Sequence, residues 1–259
     1  MTVYCSRLPA VVRQGVTWLA CLVLGAFATQ VMGATTVTPV IIDVPSDGRA
    51  TVMVRNDRAR DVLYQVTFMT WHVVNGADHY AVTQDFIASP PLFTLSPSAS
   101  QVVRIGFRKP ARLPLEQAYR LVLAEVPQSI DAQSEGGVVD FALQYLLPVF
   151  VAPSGRGVKP ALTWSLRSEG NAVVVRADNP GTTRTVLNMV GLNSRTGLSA
   201  APEIAIRQRT TVLAHAWREW RFQVPVHTSG LPWRIVALLS GSDALLVVPD
   251  ADMRPSPSP

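Results

Sequence analysis

The sequence predicts an all-β protein built as two successive β-sandwiches, and three observations carry that expectation. From Ala34 onward, short runs of valine, isoleucine, threonine and aromatic residues recur without a sustained helical period. Turn-forming pairs break these runs, among them Asp47-Gly48, Asn56-Asp57, Asn75-Gly76 and Pro90-Pro91. A seam with glycines and prolines but no apolar periodicity, Ser154-Gly-Arg-Gly-Val-Lys-Pro160, divides the runs into two sets. With 48% hydrophobic and 16% charged residues over 259 positions, the chain can bury real cores, which excludes disorder for most of it.

The first element is a leader. Arg7 and Arg13 precede an apolar run from Val16 to Ala28, and Val31-Met32-Gly33 supplies the small residues that a signal peptidase accepts. That run is shorter than the roughly 20 residues needed to span a bilayer, so residues 1–33 read as a signal peptide and the working protein as exported. Both cysteines, Cys5 and Cys21, lie inside it. The mature chain therefore has no disulfide, thiolate catalysis or cysteine–metal chemistry. Without Arg7 and Arg13, 21 basic residues face 18 acidic ones, a net +3, too small and too scattered to argue for nucleic acid.

The strands follow in order. Thr36–Val44, Ala50–Asn56, Leu63–Val73, Phe86–Leu95, Ser100–Phe107, Ala118–Glu125 and Val138–Val151 form the first set. Seven strands in about 120 residues is the immunoglobulin-like sandwich count, which gives a domain over residues 34–153. After the seam, Asn171–Ala177, Thr185–Leu192, Thr210–Ala214, Glu219–Val224, Trp233–Leu239 and Ala244–Val248 give a smaller sandwich over 154–253. Residues 254–259, Arg-Pro-Ser-Pro-Ser-Pro, read as a disordered tail.

Few residues ask for chemistry. His72, His79, His215 and His227 have no metal-ligand spacing, and no nucleophile elbow or phosphate loop is present. Asp43, Asp85, Glu125 and Asp140 are the carboxylates that a hydrolase would have to gather in space, but no feature requires it. No cofactor and no small-molecule substrate are expected.

The most informative stretch is Val138-Val-Asp-Phe-Ala-Leu-Gln-Tyr-Leu-Leu147. As a strand, it puts Val139, Phe141, Leu143, Tyr145 and Leu147 on one face. The other parity carries the mixed row Val138, Asp140, Ala142, Gln144 and Leu146. Alternation alone favours an ordinary half-buried strand facing its own core.

Six segments in order resemble the periplasmic chaperones of the chaperone/usher pathway, which assemble pili and fimbriae. They are Val54-Arg-Asn-Asp57, Gln65-Val-Thr-Phe-Met-Thr-Trp71, Asp85-Phe-Ile-Ala-Ser-Pro-Pro-Leu-Phe-Thr-Leu-Ser-Pro97, Gln101-Val-Val-Arg-Ile105, Tyr119-Arg-Leu-Val-Leu-Ala-Glu-Val-Pro127 and Leu147-Pro-Val-Phe-Val-Ala-Pro153. The second domain matches less well, through Arg176-Ala-Asp-Asn-Pro-Gly181 and Ala244-Leu-Leu-Val-Val-Pro249. The resemblance implies a boomerang of two immunoglobulin-like domains with no catalytic activity, located in the periplasm. Its partners would be a pilus or fimbrial subunit and an outer-membrane usher. The first domain would lend a strand to a subunit that lacks one, by the strand-addition mode general to such pairs. On that reading the donor residues are Val139, Phe141, Leu143 and Tyr145, and residues 128–137 are the mobile connection leading into them. An edge this apolar also invites self-association of the free protein.

The chain departs from the better-known members in one respect. Those anchor the subunit's terminal carboxylate with an arginine on the first strand and a lysine on the last strand of the first domain. Here Ala34–Ser46 and Val138–Pro153 contain neither residue, and Pro148 falls at the lysine's place. The resemblance to the archaic branch, where the anchoring base lies on the penultimate strand, points to Arg120, with Arg104 as second candidate. The alternative for Arg120 is a sheet-face arginine paired with Glu116 or Glu125. The rival function is an exported adhesin or carbohydrate-binding module that uses Trp71, Trp164, Trp217, Trp220 or Trp233 as stacking platforms.

Overall fold

The computed structural model describes residues 35–108, 113–127, 141–154, 159–194, 202–224 and 233–248. The leader, Val139, Asp140, His227 and the 254–259 tail lie outside the described residues. No helix occurs among the described residues, and the chain forms four sheets packed as two sandwiches.

The first sandwich closes a four-stranded sheet on a six-stranded one. The smaller has the order β1 (Thr35–Thr38), β3 (Arg49–Asn56), β8 (Ser100–Phe107), β6 (Phe86–Ser89). The larger runs β2 (Ile42–Val44), β10 (Gln144–Val151), β9 (Gln117–Val126), β4 (Val62–Val74), β5 (Ala77–Val82), with β7 (Leu92–Leu95) also on β4. Alternation builds the core: Val52, Val54, Val103 and Ile105 meet Tyr64, Val66, Phe68, Leu121 and Leu123. The second sandwich packs β11 (Thr163–Glu169), β12 (Ala172–Asn179) and β16 (Ala216–Gln223) against β14 (Ile204–Ile206), β13 (Thr185–Ser194), β17 (Trp233–Leu239) and β18 (Leu245–Val247), with β15 (Thr210–Val212) also on β13. Its core centres on Trp164, Trp220, Phe222, Leu187, Leu192 and Ile235.

One device appears in both sandwiches. Asn56, at the end of β3, donates through Nδ2 to the carbonyls of Arg60 (2.7 Å) and Leu95 (2.9 Å), and its Oδ1 accepts from the Arg58 amide (3.0 Å). Asn179, at the end of β12, donates to Thr183 (2.8 Å) and Val212 (3.0 Å) and accepts from Gly181 (3.0 Å). Both are buried. Each fastens the loop that leaves its strand and satisfies backbone groups that burial would otherwise orphan.

Several strand expectations change. Thr36–Val44 is two strands, β1 in one sheet and β2 in the other, because Pro39 has no amide to continue a ladder. Phe86–Leu95 divides in the same way at Pro90-Pro91 into β6 and β7. β5, β11 and β14 were not expected. For β5 the signal was present: Asn75 (φ 51°) and Gly76 (φ 75°) form the turn of a β4–β5 hairpin, the arrangement an Asn-Gly pair favours. Of the expected strand over Val138–Val151, the strand itself spans Gln144–Val151; Phe141–Leu143 precede it outside the strand, and residues 138–140 lie outside the described residues.

β10 positions the rest. It pairs antiparallel with β9 along its whole length, but β2 covers only Val149–Val151 on the other side. The Glu125 amide donates to the Leu143 carbonyl (2.9 Å) and the Ala152 amide to the Val44 carbonyl (2.9 Å). Odd residues of β10 therefore bond toward β9 and even ones outward. Among the described residues no strand pairs with the outward backbone of Gln144 and Leu146, and Pro148 is tolerated because its nitrogen points to the same edge.

Candidate functional site

The site combines that edge with a cleft beside it. Of the donor candidates, Val139 lies outside the described residues. Phe141 is 71% exposed and Leu143 half-buried, while Tyr145 leans against the first domain's own core. From Leu147 onward the same parity is sealed inside that core with Val149 and Val151. The ridge thus turns from its own domain to solvent within a few residues. Leu146, on the opposite parity, is 47% exposed.

Glu125 holds the root of the segment. Its buried carboxylate pairs with Arg58 (3.0 Å) and accepts from the Leu143 amide through Oε2 (3.2 Å). The ion pair with Arg58 offsets the burial of the carboxylate, whereas the buried Tyr145 hydroxyl has no hydrogen-bond partner among the described residues.

Arg120 stands in the next row. On β9 it is in register with Pro148 of β10 and Met69 of β4. Tyr119, Leu121 and Leu123 face the core, which turns Arg120 to the outer face. There its guanidinium lies 4.0 Å from the Trp71 ring centre, and Nη2 donates to the Tyr80 hydroxyl at 3.4 Å. Its Nε is buried without a partner. The acids named as alternative partners are engaged elsewhere: Glu125 by Arg58, and Glu116 by Arg184, which also reaches Asp43 (2.7 Å). Arg120 makes no ion pair with the described residues.

A cleft of about 740 Å³ opens in front of it, walled by both domains: Trp71, Pro148 and Phe150 from the first, Arg184, Arg209 and Thr211 from the second. Arg184 sits 3.6 Å over the Phe150 ring. Burial pushes Glu116 above its ordinary carboxyl value and outweighs the opposing pull of Arg184. Burial, with a hydrogen bond to Asp85 (3.0 Å), also pushes the Tyr119 phenol up.

Arg104 is not brought to this cleft. It stands exposed on β8, beside a separate depression with Arg49 and Ile87. Sequence reasoning missed Arg184 and Arg209, whose loops carry no local signal, and Trp71 as the platform under Arg120. The proposed sugar-stacking tryptophans are buried at Trp71, Trp164, Trp220 and Trp233, and Trp217 lies under Arg176 (4.0 Å). Asp43, Asp85 and Glu125 engage separate partners rather than converging. No group of three or more histidine or carboxylate metal ligands occurs among the described residues.

Residues 34–156 match the family described as pili and flagellar-assembly chaperone, PapD N-terminal domain. The fold resembles a chain in the crystal structure of the CsuC–CsuE chaperone–tip adhesion subunit pre-assembly complex from archaic chaperone-usher Csu pili of Acinetobacter baumannii. The identity is 18%, with 83% of this chain and 97% of that one covered and a TM-score of 0.60. It also resembles the E. coli chaperone DraB (17% identity, 83% and 96% covered, TM-score 0.56). A third likeness is to a chain of the Salmonella enterica SafA pilin–SafB chaperone complex (18% identity, 85% and 99% covered, TM-score 0.54). At these identities the likeness is one of fold, two immunoglobulin-like sandwiches in tandem. No curated protein sequence matches the chain.

Proposed function

We infer that this chain is a pilus-assembly chaperone, acting by donation of a strand to a pilus or fimbrial subunit. The observation that carries the reading is the half-paired β10, open at Gln144–Pro148 and preceded by an exposed Phe141. A subunit short of one strand has an unpaired sheet edge and an apolar groove, and an incoming segment fills both at once. The outward backbone of Gln144 and Leu146 supplies the ladder. Val139, Phe141 and Leu143 fill the groove, each contributing about 1.5–3 kcal/mol on leaving water, and Tyr145 closes the row at its own domain's rim.

Arg120 takes the subunit's terminal carboxylate. A guanidinium held on an aromatic face, with a buried Nε and no internal acid, suits a two-pronged pair with a carboxylate from outside. A cation on β9 in place of one on β10 supports assignment to the archaic branch. Action in the periplasm and delivery to an outer-membrane usher complete the reading. There a subunit's own extension displaces the lent strand without nucleotide, because the final packing is tighter. Unoccupied, the same edge favours self-association.

The test is co-expression of this chain with each open reading frame encoded beside its gene. One product should become soluble only in its presence. Phe141→Glu and Leu143→Glu should abolish that rescue while the chaperone alone keeps its thermal midpoint. Rescue that survives both substitutions would refute strand donation.

A further inference from the structure

We propose that the second domain sets the anion affinity of Arg120 through a relay that ends in Arg218, a positioning residue that never touches the anion. The inference rests on the carboxylate-anchor reading above and adds a control that reading does not contain.

The relay is continuous. Arg120 lies on the Trp71 face at 4.0 Å. The indole Nε1 donates to Asp78 Oδ1 at 2.7 Å, across the β4–β5 hairpin. Asp78 Oδ1 in turn accepts from Arg218 Nη2 of β16, whose Nη1 donates to the Gly76 carbonyl at the hairpin tip (2.7 Å). Arg218 Nε is fixed by the Thr211 carbonyl (3.3 Å), and the side chain is only 12% exposed. The tip is seated tightly: a Cβ on Gly76 would fall 2.6 Å from the Trp217 ring. Glycine is therefore needed for this approach as well as for the turn.

The physical consequence concerns Arg120. Its Nε has no partner and its Nη2 has only a long bond to Tyr80, so stacking on Trp71 is what aims its remaining donors into the cleft. A planar guanidinium pairs well with a carboxylate only when its fork is pre-oriented. Trp71 is 4% exposed and packs beside Phe150 (ring centres 5.8 Å apart), but its tilt is fixed through Asp78. Release of Asp78 by Arg218 frees the indole to swing and blunts the anchor. The second domain thereby gates a site whose cation belongs to the first.

The probe is sodium acetate, titrated against the full chain while the arginine Nε–H resonances are followed by NMR, with Arg120→Lys identifying the Arg120 signal. The wild type should show a saturable shift at Arg120. Arg218→Ala and Asp78→Ala should each weaken acetate binding about 5- to 20-fold, and together no more than either alone. Asp78→Asn keeps an acceptor oxygen for both donors and should stay within about 2-fold. Trp217→Ala loosens the same domain contact without touching Asp78, and should leave acetate binding unchanged even if it lowers the thermal midpoint. Equal weakening by Trp217→Ala, or none in Arg218→Ala, overturns the relay and leaves the anchor standing. An unmoved Arg120 signal in the wild type overturns the anchor and the relay together.

Discussion

Two arginines of this chain lie at the same distance from a tryptophan, and among the described residues only one of them has an acid. Arg176 of β12 stacks 4.0 Å over Trp217 and is gripped by Asp178, with contacts of 2.6–3.1 Å. Arg120 of β9 stacks 4.0 Å over Trp71 and has a tyrosine hydroxyl and an orphaned Nε. The same contrast runs through the neighbouring sheets. The outer face around β12 is closed by Arg167 on Glu169 and Glu219, and by Arg221 on Glu169. In the first domain, among the described residues, β10 is left open at Gln144–Pro148 and its neighbouring cation unpaired. Arg120 thus differs from Arg167, Arg176, Arg184, Arg218 and Arg221, each of which has an acid among the described residues. Stacking contributes about 0.5–2 kcal/mol, enough to orient the side chain but not to replace a counter-charge.

Four measurements break or sharpen this contrast. The largest effect concerns the indoles. Trp164→Ala should cost about 3–5 kcal/mol of unfolding free energy in denaturant titration and leave anion capture intact. Trp71→Leu, which keeps apolar bulk, should cost less stability and abolish the acetate shift at Arg120. The arginines come next. Arg120→Met should lower subunit capture on the order of 100-fold, as a lost charge-assisted pair implies, without destabilising the free protein. Arg176→Met should leave capture unchanged and shift stability by less than about 1 kcal/mol, since its partner is partly solvated. If Arg176→Met loses capture as well, the distinction between the two cations fails.

The third measurement tests equivalence instead of difference. Asn56→Ala and Asn179→Ala each orphan buried carbonyls and should each cost about 1–3 kcal/mol. A large gap between them in denaturant midpoints would mean that the two loops are not fastened alike. The smallest effect is one of pH. Burial holds Glu116 above the ordinary 4.5, so the folded state resists its ionisation. Stability from this group is full at low pH and declines as pH rises through the raised value. Relative to Glu116→Gln, the wild type should therefore lose stability as pH is raised from below 4.5, read as a narrowing difference in thermal midpoint. A difference that widens in favour of the wild type would mean that the Arg184 pair outweighs burial.

Legibility in the sequence followed the range of the interactions. The alternation of Val52 and Val54, or of Val103 and Ile105, was enough to place core faces, because a pleated strand sends neighbours to opposite sides whatever it packs against. Pro39 and Pro90 were visible as breakers, yet the switch of a strand from one sheet to the other across them was not. A missing amide says that a ladder stops and is silent on where the chain resumes. The Asn75-Gly76 pair signals a hairpin turn as well as a break between runs. Arg120 was nameable only through the resemblance of its segment to the archaic branch, whereas Trp71, Asp78, Arg184 and Arg218 were not assembled around it. Their meeting depends on two domains touching, with sequence separations of up to about 140 residues.

The sequence by itself determined the two-sandwich, all-β character of the protein and the parity that aligns Phe141 and Leu143 with the core-facing Leu147 and Val149. These are local properties of backbone geometry and side-chain period. Only the tertiary structure decided where along that one parity the chain stops facing itself and starts facing solvent. It alone left Arg120 without an acid among the described residues while satisfying Arg184 and Arg218. Strand pairing and charge pairing are both settled by what arrives from distant parts of the chain, and at β10 and Arg120 the described chain supplies neither an outer strand nor a counter-charge.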